Sequence, residues 1–239
     1  MKTKRAKKIS KKTIISIPGL GGHPTVFKGY EKILFAYDFY HATVIDWRKA
    51  QEEIELIALE RGPVILLCNC YGAQSALRLI ERFPDAVESL VIIEPYFSEF
   101  SWWSPVAFIA NKIIIAFMQI TDFFKIRRTK FKVNIDYSYL PKYPLFLQPL
   151  FDIQYQNMTD YFTKIDDILN FRLPKQIDTK TFLIFSPKGF IRGSLREKLF
   201  DIFKNSEIKE VGKNTHNIVA VSREDVAIAI NDWLSPVIS

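Results

Sequence analysis

Short runs of Val, Ile, Leu and Phe recur along the chain, and most are followed by a stretch in which apolar residues return every three or four positions. The runs are Thr13–Ile17, Ala42–Ile45, Val64–Cys68, Leu90–Ile93, Thr181–Phe185 and Glu207–Val211. Four of them are almost unbroken hydrophobes, the pattern of strands buried on both faces. Between them, Ala73, Ala76, Leu77, Ile80 and Phe83 fall on one helical face, and Val226, Ile230, Trp233 and Leu234 do the same. Ser222, with Asp225 three positions later, is a variant of the capping box that opens a last helix. Strand and helix in alternation predict an α/β domain, a mostly parallel sheet of about six strands flanked by helices.

The alternation fails once. From Phe97 to Asp178 no short strand–helix unit occurs, and in its place stand greasy helical segments, the Pro141–Pro149 turn cluster and 18 of the 34 aromatic residues. An insertion this aromatic, placed after the fourth strand, predicts a helical cap over one end of the sheet. The expected organisation is a basic arm at 1–12, a core built from 13–96 and 179–239, and a cap at 97–178. No internal repeat is evident.

A chain of 239 residues suits one domain with a full core. The net charge of +7 hints at nucleic acid, but its location argues against it. Lys2, Lys4, Arg5, Lys7, Lys8, Lys11 and Lys12 crowd the first twelve residues without an acid, and without those seven the basic and acidic residues balance at 26 each. A short basic arm on a neutral body reads as a solvated tail, with attraction to anionic lipid or nucleic acid as the alternative, and for the protein as a whole no nucleic-acid partner is expected. Thr13–Ile17 is too short for the apolar part of a signal peptide. The longest greasy stretch, Pro105–Ile120, is broken by Asn111 and Lys112 and falls short of the roughly 20 residues of a spanning helix. Cys68 and Cys70, the two cysteines, are poorly spaced for a structural bridge, and the cytoplasm is the expected compartment.

The chemistry centres on Val64-Ile-Leu-Leu-Cys-Asn-Cys70-Tyr-Gly72-Ala-Gln-Ser-Ala-Leu77, which reads as a strand, a sharp turn and a helix. It resembles the nucleophile elbow of the α/β-hydrolase family, G-x-S-x-G, with Cys68 at the first glycine and Cys70 at the serine. The residues two before and two after the nucleophile must be small so that strand and helix can approach. Gly72 fits this well; Cys68 is small, though larger than glycine. The helix N-terminus beneath Cys70 favours a thiolate. The plainer alternative is that Cys70 is a small buried hydrophobe at a strand end.

Two further segments carry the resemblance. Ile17-Pro-Gly-Leu-Gly-Gly-His-Pro24 follows the first strand and is similar to the family's His-Gly loop, with Pro18 in place of His. The resemblance implies an oxyanion hole made by the backbone N–H groups of Leu20 and Tyr71. A phosphate loop fits poorly, because no Gly-Lys-Ser/Thr follows. His216, in Val211-Gly-Lys-Asn-Thr-His216-Asn between the last strand and the last helix, stands where the family carries its base. His23 flanks the glycine loop and His41 precedes a strand, so neither stands in that place.

The acid departs from the family's pattern. Where an aspartate is usual, after the penultimate strand, this chain reads Phe185-Ser-Pro-Lys-Gly189-Phe-Ile-Arg. Glu94, in Val91-Ile-Ile-Glu94-Pro, ends the strand after the nucleophile helix, and some lipases of the family draw their acid from that strand. The alternative is a turn residue with no catalytic part. A Cys–His pair also ionises without a third group.

The resemblance covers residues 13–96 and 179–235. It implies an esterase or thioesterase acting through an acyl-enzyme at Cys70, without cofactor or metal. Acyl transfer and a catalytically silent binding protein remain as alternatives. In the cap, Trp102, Trp103 and Phe117, with Phe108, Phe123 and Phe124, suit an apolar acyl pocket. Lys125-Ile-Arg-Arg-Thr-Lys-Phe-Lys132 carries five cations and no acid. It suits an acidic carrier protein, a coenzyme A phosphate or an anionic membrane surface, and equally a solvated turn.

Overall fold

The computed structural model describes residues 11–19, 24–42, 47–97, 99, 106, 108–113, 116, 165–187, 189, 194–213 and 218–235. Six strands form one sheet: β1 (Thr13–Ile17), β2 (Asp38–His41), β3 (Val64–Asn69), β4 (Val87–Ile93), β5 (Lys180–Phe185) and β6 (Ser206–Glu210). Their order across the sheet is β2-β1-β3-β4-β5-β6, and every pairing is parallel. The helices are α1 (Trp47–Arg61), α2 (Gly72–Arg82), α3 (helical at 106, 108–113 and 116), α4 (165–170), α5 (Ser194–Ile202), α6 (Ile218–Val221) and α7 (Arg223–Leu234).

The unbroken apolar runs have a simple cause, because side chains alternate across a strand and both faces are covered. One face turns Ile15, Ile17, Leu66, Cys68, Leu90, Ile92, Leu183 and Phe185 into a core shared with Ile54 and Ala58 of α1 and Ala73, Ala76 and Leu77 of α2. The other turns Ile14, Ile65, Leu67, Val91, Ile93, Phe182 and Ile184 onto Ile218 and Val219 of α6 and Val226 and Ile230 of α7.

Two local expectations are corrected. The second strand lies at Asp38–His41 rather than Ala42–Ile45, and residues 43–46 are outside the described residues. As the edge strand it has one neighbour and stays partly exposed, so it carries Asp38 and His41 in place of an apolar run. Ser222 precedes α7 without a side-chain capping bond. Its N–H already bonds Ile218 O at 2.9 Å and its carbonyl accepts from Val226, because α6 runs almost directly into α7. The hydroxyl instead accepts the Lys213 N–H at 2.9 Å.

The approach of α2 to the end of β1 leaves no room for a side chain at Gly72. A Cβ there would overlap the Ile17 carbonyl oxygen and stand 2.8 Å from that of Pro18. Both obstacles are backbone, which cannot rotate away. Gly72→Ala is therefore expected to cost about 1–3 kcal/mol. At this size thermal unfolding should read it as a fall in Tm of roughly 2–4 °C per kcal/mol. A variant as stable as the wild type would contradict the close approach.

Candidate active site

In an open parallel sheet, ligands bind beyond the carboxyl ends of the strands, where the strand order reverses. Here the chain steps from β1 outward to β2, then returns to place β3 on the other side of β1. The switch point therefore lies between the ends of β1 and β3, and Cys70 and Gly19 meet there. A Cβ on Gly19 would stand 3.1 Å from Cys70 Cβ and 3.3 Å from Asn69 O, so the loop after β1 lies against the turn after β3.

Cys70 leaves β3 with φ of 51°, and Glu94 leaves β4 with φ of 49°. Among the described residues these are the two non-glycine positions with positive φ. The left-handed region costs side-chain-bearing residues on the order of 1–3 kcal/mol and persists where the surroundings over-determine it. They do so here: the Cys70 N–H donates to Ile93 O at 2.9 Å, and the Glu94 N–H donates to Ile184 O at 2.8 Å. Asn69 and Ile93 are register partners, so the two residues leave adjacent strands side by side. Immediately after the turn the chain enters α2, with Cys70 O accepting from Ala73 N and Tyr71 O from Gln74 N. Cys70 thus stands at a helix N-terminus, where the helix dipole favours an anion. Cys68 does not share this setting: it is wholly buried in β3, and burial pushes its thiol well above the ordinary value.

The Glu94 carboxylate is 1% exposed and reaches across to the turn after β5. Oε1 accepts the backbone N–H of Ser186, and a Cβ on Gly189 would overlap both carboxylate oxygens and stand 2.7 Å from Cδ. Gly189, where the resemblance leads one to expect the acid, thus leaves by its lack of a side chain the space that this carboxylate fills. The turn is itself held, since Gly189 N–H donates to Ser186 O at 3.2 Å and Arg196 Nη2 to the same carbonyl at 3.0 Å.

His216 lies outside the described residues, as do Leu20 and the cap aromatics Trp102, Trp103 and Phe117. The described residues nearest to it in sequence are Lys213 and Ile218. Val211 N–H donates to Phe185 O at 2.8 Å, which starts that loop beside the turn that receives Glu94. Gly212 follows with φ of 77°, and a Cβ there would stand 2.5 Å from Ser222 Oγ, the atom that accepts the Lys213 N–H.

Sequence reasoning missed the residues that pack around Cys70. Tyr96 and Ile168 join it in one small buried cluster with Tyr71 at its edge, and the two tyrosine rings meet edge-on at 4.8 Å. Ile168 belongs to α4, which is fastened to α2 by the Arg78–Asp167 ion pair at 2.7 Å. Gln74 Nε2 adds a weak bond to Ile168 O at 3.5 Å. Helical spacing places Gln74 and Arg78 together on α2, but nothing in the sequence pairs them with a segment some ninety residues later.

His41 is held on both ring nitrogens, by Ser16 Oγ at 2.6 Å and by Glu31 Oε1 at 2.8 Å. Ser16 is wholly buried, so this Ser–His–Glu chain offers no accessible nucleophile and instead ties the edge strand to β1. Burial by itself would raise the Glu31 carboxyl, but bonds from its own N–H, His41 and Gly29 outweigh it and hold the group below the ordinary value. With a depressed folded value, its contribution to stability is present above the unfolded carboxylate range and is lost as pH falls through the folded one.

No protein-family model matches the chain, and no curated protein matches it. Solved structures do. A variant of an epoxide hydrolase from Bacillus megaterium superposes with a TM-score of 0.66 at 11% identity, over 93% of each chain. A lipase-esterase related protein from Clostridium acetobutylicum superposes with 0.62 at 15% identity, over 96% of this chain and 97% of the other. A deformylase from Pseudomonas putida S16 gives 0.62 at 13%, over 92% of each. The fold is that of the α/β hydrolases. Identities this low establish the architecture alone. Within the α/β-hydrolase fold, Cys70 occupies the elbow after β3, and Glu94 brings a carboxylate from β4 to the turn after β5.

Proposed function

We propose that this protein is an acyl hydrolase, an esterase or thioesterase, that works through an acyl-enzyme at Cys70 with His216 as base and Glu94 as the acid that orients it. The observation that carries the proposal is the left-handed turn that lifts Cys70 out of the sheet at the head of α2. Strain of this kind concentrates where a side chain must be presented to a ligand. The neighbours of the same fold, an epoxide hydrolase, a lipase-esterase related protein and a deformylase, support hydrolysis as the reaction class.

In this scheme His216 takes the thiol proton and the Cys70 sulfur attacks the carbonyl carbon. The carbonyl electron pair moves to oxygen, where the N–H groups of Tyr71 and Leu20 receive the charge. Collapse re-forms the carbonyl and expels the alcohol or thiol with the proton from His216. Water then attacks the thioester, His216 accepting its proton, and the acid is released as the thiol re-forms. Glu94 accepts the second imidazole N–H, which fixes the tautomer with a free nitrogen toward sulfur. Tyr96 and Ile168 beside Cys70 favour an apolar acyl group.

The direct test is to mix the protein with an acyl p-nitrophenyl ester and a thioester, quench early and map the acyl mass. An adduct on Cys70 supports the scheme, and an unacylated, unreactive thiol identifies a silent binding protein. His216→Ala is expected to abolish the acylation burst and to raise the pH at which iodoacetamide alkylates Cys70, because an imidazolium stabilises the adjacent thiolate. An unchanged alkylation profile would separate His216 from Cys70.

A further inference from the structure

Ser186 is wholly buried in the turn after β5, and the peptide units on either side of it are both held. In the unit before it, the Phe185 carbonyl accepts from Val211 N–H at 2.8 Å, and the Ser186 N–H donates to Glu94 Oε1. In the unit after it, the Ser186 carbonyl accepts from Gly189 N–H at 3.2 Å and from Arg196 Nη2 at 3.0 Å. Arg196 projects from the first turn of α5. Its Nη1 pairs with Glu210 Oε1 at the end of β6, and its guanidinium lies over the Phe185 ring, 4.5 Å from the centroid. One planar group therefore joins the turn after β5 to the residue that precedes Val211. Lysine could not reproduce this, because an ammonium has no fork to serve a carbonyl and a carboxylate together and no plane to stack on a ring. Stability is a poor account of the arrangement, since Glu210 is 50% exposed and an ion pair open to water contributes little. Direction is a better one. The Ser186 carbonyl is buried, and if it lost Arg196 it would have to turn to find a second donor, moving the adjacent N–H with it.

We propose that Arg196 is a positioning residue for the acid of the site, holding the Ser186 backbone so that its N–H meets the Glu94 carboxylate. It has this role only if Glu94 is the acid of a Cys70 acyl hydrolase, as proposed above. The need for such a residue comes from Gly189. An aspartate there would be carried by the turn itself, whereas this carboxylate arrives from β4 and takes its position from a turn on the neighbouring strand. Its placement is therefore only as good as the turn's, and Arg196 ties that turn to the end of β6. In the proposed scheme a carboxylate displaced by a fraction of an ångström orients the imidazole less well, and turnover falls while substrate binding does not.

The test compares the steady-state kinetics of Arg196→Met, Arg196→Lys, Glu94→Gln and the Arg196→Met, Glu94→Gln double variant on an alkyl ester and an activated thioester. Methionine keeps a stem against Phe185 and removes both polar contacts. Arg196→Met is expected to lower kcat on the alkyl ester about tenfold with KM unchanged, short of the roughly hundredfold that a displacement of a full ångström can cost. The thioester should suffer less, as is expected of Glu94→Gln, because its leaving group needs little protonation. A general loosening of the fold would not distinguish the two substrates. Arg196→Lys should fall between wild type and Arg196→Met, since its ammonium reaches one of the two partners. Added to Glu94→Gln, Arg196→Met should cost nothing further, because the carboxylate it positions is gone. If the methionine variant does not fold, the lysine variant carries the same comparison. An unchanged kcat in Arg196→Met beside an impaired Glu94→Gln overturns the positioning role and leaves the acyl hydrolase standing. Equal losses on the two substrates, or losses that add in the double variant, overturn it as well. Full activity in Glu94→Gln overturns both the acid and its positioning residue.

Discussion

Cys70→Ala is expected to fold as the wild type and to turn over no ester or thioester. The substitution removes one sulfur from a side chain that is 7% exposed and packs on Tyr96 and Ile168, so the structural loss is small. Alanine tolerates the left-handed turn no worse than cysteine does, and the bonds that impose it come from the backbone of Ile93 and Ala73. In the proposed mechanism the chemical loss is large, because the substitution removes the nucleophile itself. Cys68 is sealed in the sheet with its thiol pushed up, so it cannot substitute. Loss of a nucleophile in a serine triad lowers turnover on the order of 10⁴–10⁶-fold, and a comparable fall is expected here. Cys70→Ser should recover little, since an alkoxide needs a stronger base than a thiolate. Iodoacetamide followed by peptide mapping should label Cys70 and leave Cys68 untouched in the native protein. Undiminished turnover by the alanine variant would end the proposed mechanism.

Glu94→Gln is expected to keep the fold and lose about 10–10³-fold in kcat. The Gln oxygen can still accept the Ser186 N–H that the carboxylate now holds. In the proposed mechanism, however, the His216 imidazole would lose the charge that selects its tautomer and stabilises its protonated form. In a serine triad, amidating the acid costs about 10⁴-fold in turnover, and a thiol, more acidic than a hydroxyl, needs less assistance from its base. Activated thioesters should suffer less than alkyl esters, because their leaving groups need little protonation.

The overlap with Gly189 allows a sharper form of this experiment. Gly189→Asp by itself should destabilise the protein, since its Cβ enters the volume of the Glu94 carboxylate and adds a second buried negative charge. Combined with Glu94→Gly, which suits the left-handed φ, the same aspartate would occupy the vacated space and restore part of the activity. The two substitutions should therefore be far from additive in both Tm and kcat. Additive effects, with full activity in Glu94→Gln, would make Glu94 a turn residue and leave Cys70 and His216 as a dyad.

The contrast between Cys70 and Glu94 shows what each level of description decides. The strands β1, β3, β4 and β5 were legible because burial on both faces forces unbroken apolar runs, a signal carried by the residues themselves. The elbow was legible for a similar reason. Its small neighbours answer a local steric demand, and the overlap of any Gly72 side chain with Ile17 and Pro18 is that demand in physical form. Where a residue's setting depends on one neighbour only, as in the edge strand β2, the pattern weakens and the expected position slips by four residues. The capping box misleads because Ser222 is used by Lys213, nine positions back, through a contact that no local motif encodes. The role open to Glu94 could not be decided locally at all. An acidic residue before proline reads the same whether it caps a turn or serves a histidine. Only the adjacency of β4 and β5 carries its carboxylate to the Ser186 N–H and into the space that Gly189 leaves empty. The outward face of α3 belongs to the same class, because hydrophobic periodicity marks which residues share a face but not which way that face points. That direction came from the tertiary structure, which buries Asn111 and leaves Val106, Ile109 and Ile113 exposed.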